Sequence, residues 1–204
     1  MKKAYFTKII LSLIVMLVSC TAAADGGNFK PYDPNKLHQT IYIDENFTML
    51  QKSDIIKSLH SWESSTNNLV KFTIFNNIKP SYYGKLDDFD NTLFITPVED
   101  NDIAISDNDK IYNNGLFTVA LHIAKSYTIG AIIEVAVSRT TEKDFKAILM
   151  HEEGHALGLR HILSERSVMH PNSSVSDKKI AQIDLRALCD LYFCDSNKMS
   201  PINY

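Results

Sequence analysis

Apolar and polar positions alternate along this chain with a period that changes several times, and each change predicts an element. Ile41 to Phe47 alternates with period two and reads as a first strand. Thr48-x-x-Gln51 has the form of a capping box, after which Ile55, Ile56, Leu59 and Trp62 recur at helical spacing. Trp62 continues that stripe and is therefore assigned to the core. Leu69 to Ile78 is β-branched and aromatic and alternates again, which predicts a second strand. Leu93 to Val98 is a short strand between polar turns. Leu116 to Ala124 alternates, as a sheet edge would, whereas Thr128 to Ser138 is almost continuous Ile, Val and Ala and reads as buried. Thr140 or Thr141 then caps a helix through Glu142 or Asp144, with Phe145, Ile148, Leu149 and Ala156 as its apolar stripe. Asp177 to Phe193 carries Ile180, Ile183, Leu185, Leu188 and Leu191 and predicts a last helix before a short polar tail. These strands and helices occupy residues 41–204 and are read together as one α+β domain.

Composition changes this picture little. A chain of 204 residues suffices for one domain with a core and is too short for two of ordinary size. Its formal charge of −3 offers no basic surface, which argues against nucleic acid as a partner. The acid-rich stretches LDDFDN and EDNDIAISDND, within residues 79–115, raise the question of calcium. Their spacing misses the EF-hand pattern, so they are read as solvated loops and Ca²⁺ has no motif to support it.

The N-terminus is of another kind. Lys2, Lys3 and Lys8 form a positive region ahead of Ile9 to Val18, an apolar run too short to span a bilayer. Leu17-Val18-Ser19-Cys20 resembles a bacterial lipobox, which implies removal of residues 1–19 and a lipid on the Cys20 thiol. The alternative is an ordinary secretory signal cut near Ala22-Ala23-Ala24. Either way the chain is expected to be exported; the lipobox further implies a membrane partner through the lipid, in the bacterial cell envelope at the outer membrane or cell surface. Residues 20–40 have no apolar period and read as a tether. Export leaves Cys189 and Cys194 as an even pair in an oxidising compartment. Within one continuous helix they are too far apart to bond, so a disulfide requires the helix to end between them. The sequence leaves both outcomes open.

The candidate chemistry lies in His151-Glu152-Glu153-Gly154-His155-Ala156-Leu157-Gly158-Leu159-Arg160-His161, which fits H-E-x-x-H-x-x-G-x-x-H at every specified position. On a helix, His151 and His155 stand one turn apart on one face and can grip one metal ion. Glu152 is one residue off that row, placed to act as general base toward a water on the metal without being a ligand. Gly158 tolerates positive φ, so the chain can leave the helix sharply and return His161 as a third ligand. Three neutral imidazoles leave one tetrahedral position open, the arrangement of a catalytic rather than a structural Zn²⁺ site. His122, alone on its strand, is assigned to the sheet rather than to a metal.

Met169 follows His161 after seven residues, in Ser167-Val168-Met169-His170-Pro171. A long histidine motif followed by a methionine turn resembles the metzincin metallopeptidases, and His-Ala-Leu-Gly-Leu with the Met-x-Pro ending looks most like the matrixin branch. The resemblance is specific over residues 141–171 and looser, in the same order, over about 41–192. It implies a metzincin-like catalytic domain: a twisted, mostly parallel sheet with an antiparallel edge strand, an active-site helix and a C-terminal helix. It also implies one zinc ion on His151, His155 and His161, Glu152 as the catalytic base, and Met169 as a floor rather than a ligand. Pro171, Asn172 and Ser173 would form the wall of the pocket just past the scissile bond, with Val168 grouped among its small to medium lining residues. Asp184 falls where matrixins support the methionine turn, with an exposed helical carboxylate as the other reading. Strand 116–124 would hold substrate by its edge. No second histidine cluster suggests a structural zinc.

These expectations describe a zinc endopeptidase acting on protein or peptide substrates, with the chain a monomer. The competing reading is a surface lipoprotein that binds zinc or a host ligand without turnover, on the same scaffold. Glu152 weighs against it, because a pure binder has no use for a general base.

Overall fold

The computed structural model describes residues 37–79, 91–98, 116–122, 128–171 and 178–201. The signal region, Cys20 and most of the tether fall outside the described residues, as do the two acid-rich stretches except Asn91, and Asn172 and Ser173. Among these residues five strands form one sheet: β1 (His38–Asp44), β2 (Lys71–Ile78), β3 (Thr92–Val98), β4 (Leu116–His122) and β5 (Thr128–Ala136). Their order across the sheet is β2-β1-β3-β5-β4. Every neighbouring pair is parallel except β4–β5, which is antiparallel. The expected mostly parallel sheet with an antiparallel edge strand is therefore the observed one.

β1 begins earlier and ends earlier than its alternation predicts. The strand stops because the buried Asp44 turns the chain: its Oδ1 accepts the Asn46 amide at 2.8 Å, while Glu45 N donates to Ile78 O. Phe47, which prolonged the alternation, is buried without being in a strand. Helix α1 (Met49–Ser65) carries the predicted capping box. Thr48 Oγ1 accepts from Gln51 N, and Gln51 Oε1 accepts from Thr48 N at 2.9 Å.

Helix α2 (Glu142–Ala156) starts at Thr141, whose side chain accepts the Asp144 amide. It lies between two apolar clusters. On one side Phe145, Leu149 and Ala156 meet Ile41, Ile43, Leu93, Ile95 and Ile133 of the sheet, together with Ile55 and Leu59 of α1. On the other, Ala147, Met150 and Leu157 meet Trp62, Met169, Leu185 and Leu188. Trp62 is fully buried and ties the helices further, donating Nε1–H to Met150 O at 3.0 Å.

Helix α3 (Gln182–Tyr192) begins later than expected. Lys178 to Ala181 is not helical, because Ile180 is buried from a non-helical backbone and Asp184 reaches back to the Ala181 amide at 2.7 Å. The helix ends at Phe193, which takes a left-handed conformation with φ 53°. That reversal brings the Cα atoms of Cys189 and Cys194 to 4.5 Å, and the two cysteines form a disulfide.

Candidate metal centre

Local backbone chemistry builds this site. Helix α2 ends in a Schellman arrangement: Gly158 N donates to His155 O, and Leu159 N donates to Gly154 O. The motif needs a left-handed residue, and Gly158 supplies it with φ 93°. The chain then turns back past Arg160 to His161, and Ile162 N donates to Met169 O at 3.0 Å, closing the loop onto the methionine turn.

Three imidazoles converge as a result. His155 Nε2 lies 3.1 Å from His151 Nε2 and 3.2 Å from His161 Nε2. His151 Nδ1 faces Val168 O at 2.7 Å, and His155 Nδ1 faces Leu159 O at 2.8 Å. A carbonyl only accepts, so each of these Nδ1 atoms carries the proton and each Nε2 presents a lone pair. His155 is held neutral: burial pushes its pKa well below the usual histidine range, with His151 and His161 adding to the effect.

Lone pairs aimed at one another repel unless a cation lies among them. A tetrahedral ion bound at about 2.0–2.1 Å separates its ligands by about 3.3 Å, close to the spacing found here. The residues therefore fit a zinc ion. His151 and His161 are only half-buried, so the cluster is open on one side. Glu152, also half-buried, stands beside the row on the same helix.

Below the histidines, Met169 is fully buried. A Cβ on Gly154 would lie 2.3 Å from Met169 Sδ and 3.2 Å from Trp62, so the turn packs directly on the helix backbone only because residue 154 is glycine. A mid-helix glycine costs about 1 kcal/mol relative to alanine, a local feature from which the close approach could have been read although Gly154 was given no role from sequence. Asp184 holds the turn. It accepts from Ser167 Oγ and from Val168 N, the latter at 3.1 Å, while Met169 N donates to Ser167 Oγ at 2.9 Å. Ser167 went unassigned in the sequence, since nothing local marks a serine as buried against a carboxylate.

Other predicted residues sit as follows. Pro171 is half-buried just after the turn. Val168, grouped with it by sequence as a pocket residue, is instead 1% exposed and packs in the cluster beneath. Strand β4 is the last in the sheet, and α2 lies against it and β5. Tyr192, not singled out beforehand, donates its hydroxyl to Leu157 O at 2.8 Å and ties α3 to the exit of α2.

Comparison with known proteins gives one family match. The family model described as Matrixin matches residues 42–193. The crystal structure of metalloproteinase-II from Bacteroides fragilis resembles this one with a TM-score of 0.45 and 16% identity over 82% of the chain. The chain spans 57% of that protein's length. No curated protein sequence matches significantly.

Proposed function

The chain belongs to the matrixin family, and on that premise we propose that it is a zinc-dependent endopeptidase acting on extended protein or peptide substrates. The observation that carries the reading is the convergence of three Nε2 atoms, two of which present lone pairs because their Nδ1–H groups donate to backbone carbonyls. His151, His155 and His161 would hold the ion. When bound, zinc supplies Lewis acidity toward water and toward the carbonyl of the scissile bond. Glu152 takes a proton from the attacking water at its carboxylate and delivers it to the departing amine. The outer side of β4, the last strand of the sheet among the described residues, pairs with substrate backbone as an added strand, a mode of capture that reads little sequence. Selectivity then falls to the pocket after the cut, bordered by α2 and by Pro171 to Ser173.

Export is part of the same proposal, with Cys20 as a lipid anchor. The disulfide supports it, since such bonds persist in oxidising compartments.

The test combines metal analysis with product sequencing. The purified chain should hold one zinc and cleave a protein mixture mainly before Leu, Ile, Met or Phe, and a chelator should stop it. Glu152→Ala should keep the zinc and the fold yet lose activity by on the order of a hundredfold or more. His161→Ala should instead lose zinc. A wild-type chain that binds zinc but cleaves nothing would point to the binding lipoprotein, and undiminished turnover by Glu152→Ala would exclude the assigned base.

A further inference from the structure

Asp184 lies far from the converging nitrogens in sequence, yet one continuous path of hydrogen bonds joins them. His151 Nδ1–H donates to the carbonyl of Val168 at 2.7 Å. The N–H of that same peptide unit, on Met169, donates to Ser167 Oγ at 2.9 Å. The Ser167 hydroxyl in turn donates to Asp184 Oδ1. Ser167 and Asp184 are both fully buried, so no water competes for any link at that end. The other Asp184 oxygen, Oδ2, accepts from Val168 N and Ala181 N, which fixes the carboxylate in place.

We propose that Ser167 is a positioning residue for the metal, relaying the Asp184 carboxylate through the Val168–Met169 peptide to the His151 imidazole. The inference rests on the zinc reading of the histidines. Its physics is that of the carboxylate that backs a metal-bound histidine, with a hydroxyl and a peptide inserted between. Each bond in the row polarises the next in the same sense. A serine hydroxyl bound to a carboxylate is a better acceptor for Met169 N–H, and a peptide so bound has a more negative carbonyl. His151 then donates more strongly from Nδ1, which orients its ring and raises the donor power of Nε2. His155 provides an internal comparison, because its Nδ1–H goes to Leu159 O, outside this row.

Alanine at position 167 cuts the row at one point while leaving Asp184 its bonds to Val168 N and Ala181 N. The experiment measures zinc affinity by competition with a chromophoric chelator, and the Nδ1–H proton resonances of His151 and His155 in the zinc-loaded full chain. Ser167→Ala should weaken zinc binding about tenfold, the lower end of the effect of losing an outer partner of a ligand. The His151 resonance should move upfield while that of His155 stays. Ser167→Cys keeps a weaker donor at the same point, so it should shift both readouts in the same direction by less; it decides the matter if the alanine variant does not fold. Unchanged affinity, or the two resonances moving together as in a general loosening, would overturn the relay while leaving the zinc reading intact. A wild-type chain that takes up no zinc would overturn the zinc reading, and the relay with it.

Discussion

Gly154 shows how much of the site depends on one missing methyl group. Its place between the two histidines of α2 lets Met169 Sδ and the Trp62 ring rest on the helix backbone. Alanine would be the better helix former by about 1 kcal/mol, but its Cβ would sit inside the space of the sulfur. The fully buried methionine side chain must then repack, which strains the turn whose Val168 carbonyl orients His151. Gly154→Ala should therefore lower stability by about 1–3 kcal/mol, despite its helix propensity, and weaken zinc binding. Denaturant melts of the metal-free and loaded forms would check both effects. A gain in stability would show that the turn has room to move.

Between elements, the contact of α1 with α2 includes a buried acid that the zinc motif does not require. Glu153 is 1% exposed; its Oε1 accepts from Ser58 Oγ at 2.5 Å, and its Oε2 has no hydrogen-bond partner among the described residues. Burial pushes its pKa well above the ordinary 4.5, opposed by the Ser58 bond and the more distant Lys146. A folded pKa above the unfolded one means that the folded chain keeps a proton that the unfolded chain has released. Stability then falls as pH rises from about 4.5 through the raised folded value, and levels off above it. Glu153→Gln removes this dependence while retaining an acceptor for Ser58. The variant should gain on the wild type as pH rises from 4.5 toward neutrality, followed as the difference in melting temperature. A difference that is constant with pH would mean that the carboxyl does not titrate between the two states.

For the whole molecule, the sheet order places α2 between the strands and the C-terminal cluster, with β4 as the outermost strand on the same side as β5. On the proposed reading, the edge strand and the pocket after the cut together would hold an extended substrate. On the same proposed reading, the chain's location in the cell would be set elsewhere, by Cys20. If that residue carries lipid, Cys20→Ala should abolish incorporation of a radiolabelled fatty acid and either block processing or release soluble protein. Wild-type protein that takes up no label and begins near Asp25 would instead be simply secreted.

The readable parts were those in which a residue's role depends on neighbours within about one helical turn. Thr48 with Gln51 and Thr141 with Asp144 form caps because the partners lie three residues apart. His151 and His155 share a face for the same reason, and Gly158 turns the chain because only its own φ is at issue. Strand periodicity likewise marked β5 as buried and β4 as an edge. Tertiary structure decided whatever joins residues distant in sequence. The bond of Ser58 to Glu153 spans 95 residues, and that of Ser167 to Asp184 spans 17. Periodicity records that a position is apolar, not what covers it, so Ile180 could pass for helix and Val168 for pocket wall. The disulfide depended on both levels: two cysteines were legible, but their bond required Phe193 to leave the helix, a left-handed turn that its own side chain does not favour.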